Sequence, residues 1–533
     1  TTGGSALANS VSFSDHRSGA GRYTATLTGN RADQVQAWGG EMSILQGALA
    51  DVRLSATALA NTVSVNRGRL ESDPAHLIAS NTARSVAATG GGAAANSIWL
   101  DDATVRGGTV TLSGNTAEQI QTAGMAGQVG AGVVGSFERN GRAVANSLVA
   151  DRQSTLEQVP LTLAANQARQ VSGSGGLAAA NAVLLSEGRA ERTSVSLAGN
   201  TAQGVRSTGF AASAGGGLLF SASQQSAALA NTLAVTGSQL DASGVTVVGN
   251  DAARLDARGG SLLANSVALE SGGGRASQLS ASGVLAGNTA TDIGTEGGAV
   301  SGAVGAVSSE ARARAAANAV LLHDGALIDR AASWTVAGNT ARNVQATGGT
   351  ALVNALAAYR QASVRGGSVV LAGNTADGVR AEGGTSQMLG VGANSNGVLA
   401  ANSVYLDGSG AVGLSRSTAV VAGNTARQLQ AQGGRINANA LSVNASGQVD
   451  DASVLIAGNT AASVRSEGRE GTVGGFAAFG KGVGQANANA VQVLARLQAG
   501  SVQLAGNTAG GVTATEGLAA ANSFVQGGGD ARG

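Results

Sequence analysis

Residues 337–346 read AGNTARNVQA, and nearly the same ten letters return as AGNTADGVRA at 372–381 and AGNTARQLQA at 422–431. Recurrence at a steady spacing marks a repeat architecture, in which each copy occupies an equivalent place in the fold. Outward from this stretch, a small-Asn-x-Ala motif is centred on Asn30, Asn81, Asn115, Asn166, Asn200, Asn250, Asn288, Asn339, Asn374, Asn424, Asn459 and Asn507. A second motif, typically Ala-Asn followed by Ser, Ala or Thr, alternates with it from Asn9 to Asn522. Steps between first-motif asparagines run 51, 34, 51, 34, 50, 38, 51, 35, 50, 35 and 48 residues, so long and short units alternate. From Asn9 to Asn522 the chain advances 522 − 9 = 513 residues, or six periods averaging 85.5. One repetitive domain spanning residues 1–533 is implied.

Within each first motif the pattern is strict. Ala stands two residues after the Asn in all twelve copies, and Val, Ile or Leu stands five after, as in Val344 and Val379. Apolar residues three and often five before the Asn, then five and seven after, alternate with period two on either side of a Gly-Asn turn. That is strand, turn, strand. The second motif repeats this logic, with apolar residues two and usually four after the Asn, as in Val404 and Leu406. Strands this short cannot bury a face alone and must stack on copies of themselves. The expected fold is all-β, a parallel β-solenoid of about twelve alternating long and short units.

Stacking also explains the asparagines. An Asn amide can donate to the Asn one rung up while satisfying its own turn, so the first-motif residues are the expected ladder. Two coil sizes fit the spacing. Each unit of about 34 residues is one coil, or both Asn motifs are equivalent corners and a period holds five coils of about 17 residues.

Composition agrees with a regular fold of small side chains. Glycine accounts for 83 of 533 residues, aromatics for 2% and charged residues for 12%, while hydrophobic residues reach 43%. This is too apolar for a solvated coil and lacks the Gly-X-Y period of collagen. Glycine pairs such as Gly433-Gly434 interrupt long helices, leaving SSEARARAAANAVLL (308–322) as the one stretch with helical character. A net charge of +1, with basic and acidic residues scattered singly, provides no footprint for nucleic acid or an anionic membrane. Cysteine is absent, which excludes disulfides and thiolate metal sites.

The pattern GNTA..V.A.GG...AANSV.L resembles the repeats of secreted bacterial β-solenoids and, more loosely, those of curlin-type fibre subunits, which also set Gly-Asn-x-Ala in a strand-turn-strand unit. That resemblance covers essentially the whole chain. It implies an extracellular matrix or surface fibre, exported from the cell, and the start at Thr1 is compatible with processing.

Chemistry-bearing motifs are sparse. No Gly-Lys-Ser/Thr loop occurs, His16, His76 and His323 fall in unrelated repeat phases, and solvated histidines are expected. Asp101-Asp102 and Asp450-Asp451 are hundreds of residues apart. No catalytic, cofactor or metal site emerges, and the expectation is a chain that is not an enzyme.

Long units carry glycine-rich inserts such as EGGAVSGAVGAVSSEARARAAAN (296–318). Phe137, Phe210, Phe220, Phe476 and Phe479 lie in inserts, all at one phase, which suggests one side of the rod and a role either in the core or in lateral contacts. Both terminal segments read as ordinary second-motif units. A head-to-tail homopolymer is therefore expected, its junction formed by Asn9, Val11, Phe13, Asn522 and Phe524. The functional expectation is a self-assembling structural subunit of an extracellular filament or biofilm matrix. The alternative is the passenger stalk of a surface adhesin.

Overall fold

One short unit traces one complete coil. Thr340–Thr347 forms a first wall, Gly349–Val353 a second and Leu356–Tyr359 a third, and Ser363–Arg365 with Ser368–Ala372 makes a fourth before Gly373-Asn374 turns into the next coil. Every wall then meets its own copy. Thr340 pairs with Thr375, Leu356 with Val404 and Leu371 with Val421, all in parallel register. The computed structural model is thus a parallel β-solenoid, with thirteen strands stacked in the second wall and thirteen in the third among the described residues. Rungs spaced about 4.8 Å apart give a rod on the order of 58 Å long. The structure describes residues 5–14, 25–38, 56–71, 75–123, 141–209, 213–214, 226–270, 277–297, 301–302, 313–328, 332–383, 385–388, 391–394, 397–407, 412–443, 447–468, 473–474, 477–478, 484–494, 496–498, 500–515, 517–526 and 531–532.

The two asparagine motifs are different corners of one coil, which settles the coil size at one unit. The 17-residue alternative fails because no wall of one type pairs with another type: first-wall strands pair only across 34 to 51 residues, as Thr82 with Thr116 and Thr116 with Gln167. Each corner also turns by its own means. In the first motif the residue before the Asn is left-handed, as Gly338 at φ 61° and Gly373 at φ 61°; in the second the Asn itself is, as Asn354 at φ 48°. Glycine and asparagine are the residues that reach this region at least cost.

Inside the coil lie two separate cores. Ala341, Val344, Ala346, Ala351 and Val353 fill the lobe between the first and second walls, where alanine keeps the sheets close. Leu356, Ala358, Val364, Val369 and Leu371 fill the wider lobe between the third and fourth. Trp334 is also buried in that lobe, directly above Gly283, whose missing side chain makes room for the indole. A third apolar cluster lies outside the coil. At the second-motif corner the outward side chains of the second and third walls, such as Leu352 and Ala357, bury against each other in a longitudinal notch.

The stretch 308–322 is not helical where it is described. Ala313–Ala317 and Val320–His323 are wall strands, because stacking on the rungs above and below outweighs the helix propensity of an alanine-rich run. Among the described residues no helix is long and apolar enough to cross a membrane. Long coils are long because the chain leaves between the first and second walls before rejoining. Parts of these inserts are described: Ser213–Ala214 pairs with Ser301–Gly302, while Thr385–Met388 and Val391–Asn394 form an antiparallel pair. The five insert phenylalanines lie outside the described residues.

Candidate functional site

The first-motif asparagines form one continuous ladder. Asn339 Nδ2 donates to Asn374 Oδ1 (3.0 Å) and to the carbonyl of Leu285 (2.9 Å), and its backbone N–H also donates to Asn374 Oδ1 (3.1 Å). Asn339 Oδ1 in turn accepts from the N–H (2.9 Å) and Nδ2 (3.0 Å) of Asn288. The same links run from Asn30 and Asn81 through Asn115, Asn166, Asn200 and Asn250, and on through Asn424 and Asn459 to Asn507. Buried polar groups are tolerated because each hydrogen-bonding capacity is used.

A second ladder, parallel to the first, follows the other corner. Asn354 Nδ2 donates to Asn402 Oδ1 (2.9 Å) and to the carbonyl of Thr375 (2.9 Å), so this amide also ties its corner to the start of the next first wall. At one end Asn9 donates to Asn61 Oδ1 (3.1 Å), while Val11 and Phe13 stand in register with Val63 and Val65. At the other, Asn522 accepts from Asn489 (2.9 Å), and Phe524 pairs with Val491 while remaining 42% exposed. The junction residues named from the sequence therefore occupy the two outermost rungs of the described stack.

Polar and aromatic side chains close the notch at several heights. Arg142 pairs with Asp151 and lies 6.0 Å over the Trp99 ring. Farther along, Arg314 meets Glu270 (3.1 Å) and lies 5.4 Å over Tyr359, which contacts both His323 and Tyr405. Tyr405 donates to Asp407 (2.8 Å). Burial raises the pKa of both tyrosine hydroxyls and lowers that of His323, which keeps the cluster in its neutral aromatic forms. Sequence reasoning missed the notch, since its members read as ordinary outward positions.

His76 corrects the expectation of solvated histidines. It is buried where Val110 stands on the next rung, its Nδ1 accepts from the Ala25 N–H (3.1 Å), and burial lowers its pKa. His323 is half-buried, 2.7 Å from Asp324, and His16 lies outside the described residues. Stacking also relates a carboxylate that sequence distance had not. Asp101 stands in register with Asp151 on the adjacent rung, and burial, then the Asp151 charge after the opposing pull of Arg152, raises its pKa. Asp450 lies far along the rod, in register with Ser415 and Gln498.

No protein-family model matches the chain, and no curated protein does. Among solved structures it is similar to the catalytic domain of a GH87 α-1,3-glucanase in complex with nigerose, at 11% identity and a TM-score of 0.21, over 93% of this chain and 64% of that one. This finding overturns the expectation that the chain is not an enzyme: a catalytic domain is what the comparison returns, and a sequence without a familiar motif is no ground for excluding catalysis. At that TM-score the likeness carries no argument for an activity either.

Proposed function

We propose that this chain is the structural subunit of an extracellular filament or matrix fibre, its rods joining end to end by the same stacking that builds the fold. One observation carries the reading: the contact between rungs is the same at every step. Two buried Asn ladders and two apolar cores repeat from coil to coil, so any outer rung presents a surface made to receive another. Stacking one copy on another through this repeated contact would remove apolar surface from water and pair strand edges together.

Negative-stain microscopy of the purified chain tests this directly. Wild type is expected to form unbranched filaments at high concentration, and a Val11→Lys, Phe13→Lys variant to remain as discrete rods. Wild type that stays a discrete rod overturns the filament and leaves the adhesin stalk. Filaments formed equally well by the variant overturn the end-to-end junction.

A further inference from the structure

A third column runs along the outside of the first wall. The residue four after each first-motif Asn is left-handed, as Gln119 at φ 56°, Gln170 at φ 54°, Gly204 at φ 68° and Arg254 at φ 55°. It is left out of the strand pairing on both rungs, with Arg84 paired to Glu118 and then Val86 to Ile120, so each first wall carries an in-register left-handed kink at this residue. Where the column reaches glycine, the surface opens. A pit of about 440 Å³ has Gly204 in its lining together with Gln170, Glu118 and the arginines Arg169, Arg206 and Arg254.

The pit belongs to this place and not to every glycine in the column. A Cβ built on Gly204 would come no nearer to a side chain than 4.0 Å, at Gln170 Cγ; on Gly378 it would lie 3.0 Å from Asn343 Oδ1, so there the neighbouring side chain already leans across. Its charge is local too. Three arginines against one glutamate make 3 − 1 = +2 in the lining, within a chain whose total is +1. The guanidiniums are weakly engaged. Arg169 is 3.9 Å from Glu118, Arg206 is 3.5 Å from Asp256, and Arg254 has no ion pair among the described residues.

We propose that the Gly204 pit binds a carboxylate-bearing sugar of a linear acidic polysaccharide. Arginine presents a planar fork that matches a carboxylate at two points, and Arg206 and Arg254 stand on adjacent rungs about 4.8 Å apart along the axis. The amide of Gln170 both donates and accepts, which suits the hydroxyl groups of a sugar beside the acid. Single-stranded nucleic acid fits less well, because no aromatic ring lines the pit for a base to stack on. The site is complete within one chain and does not depend on filament formation.

Affinity electrophoresis through gels containing polygalacturonate, neutral dextran or oligo(dT) tests the proposal. Polygalacturonate alone is expected to retard wild type. An Arg206→Gln, Arg254→Gln variant is expected to bind about tenfold more weakly or worse. Gly204→Gln refills the pit with the side chain that Gln170 carries at the same backbone conformation; it keeps the net charge and is expected to lose binding as well. Arg342→Gln removes a charge elsewhere on the first wall and is expected to bind like wild type. Unchanged thermal melting shows that each variant is folded. No retardation of wild type, stronger retardation by oligo(dT), or a Gly204→Gln variant that binds normally overturns the site.

Discussion

Asn339 makes six hydrogen bonds, four of them through its side chain, and reaches no solvent, so its value lies in what its loss would strand. Replacement by alanine takes a donor from the Leu285 carbonyl and the acceptor from the Asn288 N–H and from one Nδ2 hydrogen, while the other Nδ2 hydrogen keeps the Val247 carbonyl (2.8 Å), in a place water does not reach. Spacing alone suggests a cost near ~1 kcal/mol, on the premise that water repairs the gap; complete burial removes that premise and raises the expectation to ~3 kcal/mol or more. Asn507, in the last first-wall turn, is only half-buried, and Asn507→Ala is expected to cost ~1 kcal/mol. Denaturant unfolding of the two variants beside wild type checks the order. Equal destabilisation would mean that burial is not what gives the ladder its strength.

At the scale of the strand, stacking discriminates between glycines that look alike in sequence. Gly434 opens a second-wall strand just where the previous rung passes beneath it: an added Cβ would sit 1.8 Å from the Gly397 carbonyl oxygen. Backbone cannot step aside, so Gly434→Ala is expected to cost ~3 kcal/mol or more. Gly294, extended and outward on the first wall, has nothing within 4 Å of the same atom. Gly294→Ala is expected to be neutral or to stabilise by up to ~1 kcal/mol through the unfolded chain. Thermal melts of the pair decide it, and similar melting points would refute the close approach. The left-handed kink of the first wall is legible in the sequence. Ala two after the Asn and an apolar residue five after it both point inward, and that three-residue gap breaks a period of two, which requires an extra residue between them.

Over the whole molecule, each coil pairs only with the coils before and after it, so stability accumulates rung by rung. Thr340, Thr375 and Thr425 occupy one column. Deleting residues 340–424 therefore joins Asn339 to Thr425 in phase and is expected to give a folded rod shorter by two rungs, about 10 Å. Deleting 340–407 removes one whole coil and three walls of the next, retaining only the fourth wall of that coil; it is expected to aggregate. Circular dichroism and small-angle scattering distinguish the outcomes, and an in-phase deletion that unfolds would show that the rungs are not interchangeable.

The sequence by itself determined the solenoid, its period, the inward columns and the asparagine ladder, because stacking writes one requirement into every copy and repetition makes it visible in AGNTA. Only the tertiary structure decided that both asparagine motifs belong to one coil, that Asp101 faces Asp151, that His76 is buried and that Gly204 opens a pit. These depend on which side of a turn the chain follows and on what stands one rung away, 34 to 51 residues distant along the chain. A side chain's own neighbours in sequence carry no record of that distance. Two left-handed corners, one made by the residue before the Asn and the other by the Asn itself, read alike as letters but bend the wall in different ways.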